Sequence, residues 1–125
     1  KPQLIRVFVN LITNAIQAVE MHQREVEAEG GEPFVGKVTI YLRNSIKDGF
    51  YDVVVDDNGT GVKEENVGKL FTPNFTTKSA GTGLGLAICR NIMEKCGGEI
   101  SYKRSYSLGG ASFTVTIPKK NDEEC

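Results

Sequence analysis

The most informative stretch of this sequence is Thr76-Thr77-Lys78-Ser79-Ala80-Gly81-Thr82-Gly83-Leu84-Gly85, which runs directly into an apolar segment. Its three glycines stand on alternate positions and allow backbone geometries that other residues avoid, so the amides can close around an anion. Residues 84–94 predict a helix, whose unpaired first N–H groups and positive dipole end would strengthen such a site. The stretch therefore indicates a phosphate site, and a plain turn with a helix cap is the alternative.

Two known phosphate-binding templates do not fit this glycine-rich stretch. The pattern Gly-x-Gly-x-x-Gly fails because its sixth position is Leu86 or Ile88, and Gly-Lys-Ser/Thr occurs nowhere in the chain. The choice between a phosphate site and a plain turn therefore depends on the other motifs.

The composition is that of one ordinary globular domain. The chain has 125 residues, 14 glycines and a net charge of −1, with acidic and basic residues mixed throughout. This balance gives no electrostatic case for nucleic acid or a membrane surface as partner. No apolar run approaches roughly 20 residues, and no signal-peptide pattern is present. Cys89, Cys96 and Cys125 follow no metal-binding spacing, so we expect reduced thiols in a reducing compartment.

The first segment, residues 2–29, predicts a long amphipathic helix. Its apolar residues recur at helical spacing: Leu4, Val7, Phe8, Leu11, Ile12, Ala15, Ala18 and Val19. Beside this stripe, Asn10, Asn14 and Gln17 stack their amides along one face. Because Asn is unfavourable inside a helix, its presence needs a reason, and solvent exposure is one. The other is that carboxamide oxygens are hard, neutral ligands suited to a magnesium ion that already carries phosphate oxygens.

The middle of the chain predicts an antiparallel hairpin. Residues 38–42 and 51–55 are rich in β-forming side chains and are separated by a turn signal at residues 47–49. The second strand runs into Asp56-Asp57-Asn58-Gly59-Thr60-Gly61, where an ionised carboxylate could accept a hydrogen bond from the exocyclic amine of a flat ligand. A local turn that uses the aspartate as its own acceptor is the alternative.

The remaining segments predict a short helix or turn, a loop and a second hairpin. Residues 62–69 suggest the short helix, and Phe71 and Phe75 would anchor the edge of a loop in which Lys78 could reach a phosphate. Residues 100–106 and 112–117 predict two strands around a glycine turn at residues 109–110. Residues 119–125 form a polar tail.

Four separated segments now stand in a fixed order: Asn10-x3-Asn14-Ala15, Asp57-x-Gly59-x-Gly61, Phe71-x3-Phe75 and Gly81-x-Gly83-x-Gly85. Together they resemble the ATP-binding domain of sensor histidine kinases, in the superfamily that includes type II topoisomerases, heat-shock chaperones and mismatch-repair ATPases. The resemblance covers residues 3–118, so residues 1–118 are assigned to this domain and residues 119–125 to the tail. It implies an α+β fold, a two-layer α/β sandwich whose mixed, mainly antiparallel sheet of at least four strands is covered on one face by about three helices.

The resemblance also implies two cofactors, ATP and Mg²⁺, and a role for each matching residue. Asn14 would bind the metal that bridges the phosphates, Asn10 would support the metal or its waters, and Asp57 would recognise the adenine amino group. Catalysis would depend on Asn10, Asn14 and Lys78. The implied nucleotide contacts are Asn14, Asp57, Gly59, Gly61, Val62, Phe71, Phe75, Thr77, Lys78, Gly81, Thr82, Gly83, Leu84, Gly85 and Ser112.

Three positions place the chain within the superfamily. Members that hydrolyse ATP carry Glu at the position of Asn10 as general base, and an amide cannot take that proton at neutral pH, so the comparison favours a kinase. Gln17 stands where many sensor kinases have a basic residue, and Asn74 replaces a more usual aromatic residue. Both departures resemble the nitrogen-regulation branch.

The resemblance implies a phosphoryl acceptor that this sequence does not contain. His22 is the only histidine, and the residues after it do not match the acceptor motif. The expected partners are therefore ATP, a histidine-bearing dimerisation domain and, through that domain, a response regulator. We expect a monomeric, cytoplasmic domain without nucleic acid or direct membrane contact. The alternatives are a serine kinase resembling bacterial anti-sigma factors and a non-catalytic nucleotide-binding module.

Overall fold

The structure is a computed structural model that describes residues 2–31, 33–72 and 85–119. The expected nucleotide contacts at Phe75, Thr77, Lys78, Gly81, Thr82, Gly83 and Leu84 lie outside these ranges. The elements are α1 (Pro2–Ala28), β1 (Val38–Asn44), β2 (Phe50–Asp57), α2 (Glu64–Val67), α3 (Gly85–Lys95), β3 (Glu99–Arg104) and β4 (Ala111–Pro118). Each predicted helix and strand is present, with bounds that differ by a few residues.

The four strands form one sheet in the order β1-β2-β4-β3. All three pairings among the described strands are antiparallel, so this part of the chain shows no parallel pair of the kind that a mixed sheet would contain. The β1–β2 turn uses Gly49 at φ +84°, a left-handed geometry that favours glycine. The predicted hairpins are confirmed, and the central pair β2–β4 joins segments that are far apart in sequence.

The hydrophobic core lies between one face of the sheet and helices α1 and α3. The apolar stripe of α1 contributes Val7 and Leu11, both completely buried, and β4 contributes the completely buried Val115. Burial of a side chain of this size stabilises a fold by roughly 1.5–3 kcal/mol. The short helix α2 has no buried residue. Among the described residues, two helices, α1 and α3, therefore form the second layer.

The opposite face of the sheet carries buried polar side chains. Since side chains alternate along a strand, Asp52 and Asp56 of β2 point away from the helices. The Asp52 carboxylate accepts a hydrogen bond from Thr116 Oγ1 at 2.8 Å and an ion-paired bond from Arg43 Nε at 3.3 Å. These contacts tie β1, β2 and β4 together on the face away from the core.

Helix α1 is unusually long and apolar for a domain of this size. By length and hydropathy alone, Gln3–Ala28 would suffice to cross a membrane, which departs from the sequence expectation of no such segment. A core helix can meet the same criterion, and four buried side chains of α1 belong to the core cluster: Leu4, Val7, Leu11 and Ala15. The apolar side chains on one face of α1 thus pack against the sheet.

The two described cysteines differ in state. Cys89 is a free thiol and completely buried, in agreement with the prediction. Cys96 is disulfide-bonded, so the prediction of a reduced thiol is wrong at that position.

Candidate nucleotide site

Asp57 lies at the carboxyl end of β2 and is held by backbone from two other segments. Its Oδ1 atom accepts hydrogen bonds from the N–H of Gly59 at 2.8 Å and from the N–H of Ala111 at 3.2 Å. The N–H of Gly110 donates to the Asp57 carbonyl at 3.1 Å. Only 2% of Asp57 is exposed. The carboxylate is therefore fixed in position by the start of β4 and by the turn that follows β2.

The close packing around Asp57 requires glycine at two positions. A Cβ on Gly110 would collide with the Asp57 carboxylate and lie 2.7 Å from the nitrogen of Gly59. A Cβ on Gly59 would lie 2.5 Å from the carbonyl carbon of Ala18 in α1. Gly59 thus lets the turn after β2 contact the backbone of α1, and Gly110 lets β4 approach Asp57.

A cavity of about 490 Å³ opens beside this cluster. Its lining includes Gly61, Val62, Tyr102 and Gly110, and Gly110 is the lining residue that also contacts Asp57. Gly61 has φ +72°, which only glycine adopts readily. The volume lies in the range of pockets that hold small molecules and cofactors. The cavity is thus large enough for a purine base, and Gly110 connects its lining to the Asp57 cluster.

Tyr102 forms one wall of the cavity. Its ring packs against Phe113 with centroids 5.3 Å apart, and its side chain hydrogen-bonds the backbone of Val62. Burial raises the pKa of the Tyr102 phenol, and the nearby Asp57 charge raises it further. The phenol is therefore kept neutral close to the Asp57 carboxylate.

Sequence reasoning missed Tyr102, Gly110 and Ala111. Tyr102 could have been found from the alternation in β3, which places it on the same face as Ile100. The other two depend on the pairing of β2 with β4, which the local sequence does not indicate.

The two asparagines of α1 lie on the helix face between α3 and the Asp57 turn. Gly85, the first residue of α3, is so close to Asn10 that a Cβ there would lie 3.5 Å from Asn10 Oδ1. At the other end, Ala18 contacts Gly59 through its backbone. Asn14 lies one helical turn from each of these contacts, or about 6 Å along the axis. The structure therefore brings Asn10, Asn14 and Asp57 to one side of the molecule.

The described residues offer few other ligands for a metal ion. They contain no group of three or more His, Cys, Asp or Glu side chains that could hold one. The half-buried Asn10 and Asn14 supply carboxamide oxygens, which suit Mg²⁺ when phosphate oxygens and waters complete its shell. The donor set thus fits a metal that arrives with a nucleotide.

The structure also describes two other expected nucleotide contacts, Phe71 and Ser112. Phe71 is half-buried and packs edge-to-face against Phe113 at 6.4 Å, so it anchors the chain to the core just before residue 73. Ser112 does not join the Asp57 cluster. It pairs with Asp56 rather than Asp57 in the β2–β4 register, which places its side chain on the opposite face of the sheet. Ala111 lies beside Asp57 instead.

His22 lies on α1 and is half-buried rather than fully exposed. Its ring packs edge-on against Phe34 with centroids 4.7 Å apart, and its Nδ1 lies 3.6 Å from Glu25 Oε1. These contacts give His22 a packing role at the end of α1.

Comparison with known proteins shows the family of this chain. Residues 1–121 match the family described as histidine kinase-, DNA gyrase B- and HSP90-like ATPase. The sensor histidine kinase ZraS of Salmonella typhimurium is 38% identical over 116 residues, which are 93% of this chain and 22% of ZraS. The sensor protein FixL of Bradyrhizobium diazoefficiens is 32% identical over 96% of this chain and 21% of its own length. The chain thus spans about a fifth of these relatives.

A solved histidine kinase domain has the same fold as this chain. The catalytic domain of the histidine kinase ThkA, in a nucleotide-free form, superposes with a TM-score of 0.71. It is 36% identical and the match covers 94% of this chain and 67% of that domain. A family match over nearly the whole chain, the shared fold and a buried aspartate beside a cavity lead to one assignment. This chain belongs to the histidine kinase-, DNA gyrase B- and HSP90-like ATPase family.

Proposed function

We propose that this chain is the ATP-binding catalytic domain of a sensor histidine kinase. It would transfer the γ-phosphoryl group of ATP to a histidine on a helical dimerisation domain, from which a response regulator takes it. The observation that supports this most is the position of Asp57, whose carboxylate is held by two backbone N–H groups next to a cavity of about 490 Å³.

In this proposal Asp57 accepts a hydrogen bond from the exocyclic amine of adenine. A charged acceptor of this kind discriminates strongly between bases, because a base with a carbonyl in place of the amine would bring one acceptor oxygen against another. Gly61, Val62 and Tyr102 line the cavity. Gly59 lies beside Asp57, to which its N–H donates a hydrogen bond. Base recognition thus occurs at the junction of β2 and β4.

The phosphates would lie toward the start of α3, close to Asn10 and Asn14. Bound Mg²⁺ would neutralise charge on the phosphate oxygens. Asn14 would hold the metal, and Asn10 would hold its waters. Lys78, Thr77 and the segment from Gly81 to Gly85 are proposed to surround the phosphates from the other side, with Phe71 and Phe75 as anchors of that segment. Such transfer depends mainly on positioning and charge neutralisation.

Asn10 also favours transfer to a protein over hydrolysis. The lone pair of a neutral imidazole nitrogen forms the new P–N bond while the bond between the γ-phosphorus and the ADP oxygen breaks. A water molecule would have to lose a proton, and a carboxamide cannot accept it. We therefore expect slow ATP hydrolysis by this chain alone.

The proposal can be tested with γ-labelled ATP and a supplied helical domain that bears an acceptor histidine. We expect an acid-labile phosphoprotein, since phosphohistidine is lost in acid. An acid-stable product would support the serine kinase resembling anti-sigma factors instead. Tight ATP binding without transfer to any cognate helical domain would support the non-catalytic module.

Location and assembly follow from the same proposal. We infer that the domain acts in the cytoplasm, where ATP is available, and that it is monomeric, because dimerisation would belong to the acceptor domain. Gel filtration of the purified chain tests the second point, and elution as a dimer would contradict it.

A further inference from the structure

Arg104 is the last residue of β3 and lines the cavity beside the Asp57 cluster. Side chains alternate along a strand, so Arg104 lies on the same face of the sheet as Ile100 and Tyr102, which pack against the core beneath the helices. Among the described residues that line the cavity, Arg104 is the only basic one. Its guanidinium therefore gives the β3 wall of the cavity a permanent positive charge.

The donors of Arg104 are available to a ligand. Arg104 is exposed, and no ion pair or side-chain hydrogen bond joins it to another residue in the described part of the chain. Glu64 also lines the cavity and is not paired with Arg104. A guanidinium presents five N–H donors in a plane, which match the oxygens of a phosphate group. Arg104 is thus suited to an anionic ligand.

Arg104 and Asp57 flank Ala111 from opposite sides. Arg104 lies opposite Ala111 in the β3–β4 register, and the N–H of Ala111 donates to the Asp57 carboxylate at 3.2 Å. Strand β4 lies between β2 and β3, and neighbouring strands are about 4.8 Å apart, so Asp57 and Arg104 stand on strands separated by roughly 10 Å. A ligand whose amine meets Asp57 can therefore extend across the small side chain of Ala111 toward Arg104.

The end of β3 also lies where the phosphates are proposed to bind. Helix α3 packs against β3, and residues 96–98 connect them, so the two elements lie side by side and run in opposite directions. The 11 residues of α3 span about 16 Å and the 6 residues of β3 span about 20 Å. Because these lengths are similar, the start of α3 and the end of β3 lie at the same end of the molecule. Arg104 thus shares that end with Gly85.

We propose that Arg104 binds a phosphate group of the nucleotide. This inference rests on the function proposed above and adds a contact outside the four sequence motifs. Glu64 would repel a phosphate, so among the described lining residues only Arg104 attracts one by charge. The guanidinium shares the neutralisation of the phosphate oxygens with Mg²⁺ and Lys78.

Two variants of Arg104 and one of its neighbour test this contact. Arg104→Gln removes the charge, and Arg104→Lys keeps the charge without the planar donors. Lys103→Gln is the matched control, because it makes the same change of charge on the opposite face of the sheet, where Lys103 pairs with Ser112. We expect Arg104→Gln to weaken ATP binding by about three- to tenfold, as for an exposed pair with a phosphate. Arg104→Lys should have an intermediate affinity, and Lys103→Gln should bind ATP like the unmodified chain.

Adenosine distinguishes a phosphate contact from a contact with the base. Its affinity, measured by competition with a fluorescent ATP analogue, should be the same in Arg104→Gln and in the unmodified chain. An equal loss for ATP and adenosine would overturn the phosphate contact, and so would an unchanged ATP affinity. Absence of ATP binding by the unmodified chain would instead contradict the proposed function as well as this contact.

The Nε–H resonance of Arg104 reports the contact without the base. Inorganic tripolyphosphate should shift this resonance in a saturable way. The Nε–H of Arg43, which is paired with Asp52 on the opposite face of the sheet, is the internal control and should stay unchanged. An Arg104 resonance that moves with neither tripolyphosphate nor ATP would overturn the inference whatever the affinities show.

Discussion

The Asp57 carboxylate and the backbone N–H of Ala111 are joined by a 3.2 Å hydrogen bond, although the two residues are 54 positions apart. The bond exists because β2 and β4 pair, with Asp56 opposite Ser112 at the end of the ladder. Folding of the central sheet therefore places the carboxylate before any ligand binds. Such preorganisation reduces the loss of side-chain freedom on binding.

Replacing Asp57 tests the role of this carboxylate. Asp57→Asn can keep the bonds to Gly59 and Ala111 through its carbonyl oxygen, but it loses the negative charge and gains a donor that opposes the adenine amine. We expect ATP affinity to fall roughly 10- to 100-fold, as for a hydrogen bond to a charged group. Calorimetric titration of ATP measures this change.

Asp52→Asn is the matched control for Asp57→Asn. Asp52 is also a buried carboxylate of β2, but it bonds Thr116 and Arg43 on the opposite face of the sheet. Its replacement should lower stability and leave ATP affinity unchanged. Equal ATP affinity in both variants would show that Asp57 does not contact the nucleotide.

Replacing Gly110 tests the close approach of β4 to Asp57. A Cβ there would meet the Asp57 carboxylate and the backbone of Gly59, so Gly110→Ala should destabilise the fold by about 1–3 kcal/mol and also weaken ATP binding. Gly49→Ala is the control, because Gly49 lies in the β1–β2 turn, outside the lining of the cavity, and has φ +84° and open space around it. It should destabilise by about 1–2 kcal/mol through backbone strain alone.

The two glycine variants are compared by denaturant unfolding and ATP titration. A loss of stability without a loss of affinity in Gly110→Ala would contradict the link between this glycine and the nucleotide site.

The buried thiol of Cys89 predicts a fall in stability at alkaline pH. Burial raises its pKa from 9.0 to about 11, against smaller opposing effects of Asn10 and Arg6. Because the pKa is raised in the folded state, the contribution of the thiol to the free energy of unfolding is fully present below pH 9. It is lost as the pH rises toward 11, since the unfolded chain releases this proton first. The loss should amount to about 2–3 kcal/mol.

Comparison with Cys89→Ala isolates this effect from the titration of lysines and tyrosines. The free energies of unfolding of the two proteins should converge between pH 9 and pH 11. A constant difference across this range would show that Cys89 is not kept neutral by burial.

Much of the site could be predicted from the sequence wherever a single segment contains all the residues that form the feature. The apolar stripe of α1 indicated both the helix and the asparagines beside it, and the end of β2 indicated Asp57 with its two glycines. These features follow from local periodicity and turn chemistry. The predicted bounds were therefore close to those observed.

The features that sequence did not predict depend on contacts between distant segments. The pairing of β2 with β4 decides that Ala111 rather than Ser112 lies beside Asp57, and a shift of one residue moves a side chain to the other face of the sheet. The hydrogen bond from the Cys89 thiol to the Val7 carbonyl likewise requires α1 and α3 to pack together. Neither register nor helix packing can be read from a local pattern.

Asn14 and Asp57 are proposed to serve one Mg-ATP molecule, and titration of ATP with Mg²⁺ or with EDTA tests this most directly. The unmodified chain should bind ATP more tightly with Mg²⁺. Asn14→Ala should lose that dependence while it still binds ATP weakly, and Asp57→Asn should weaken binding under both conditions. Retention of full Mg²⁺ dependence in Asn14→Ala, or of full affinity in Asp57→Asn, would contradict the account.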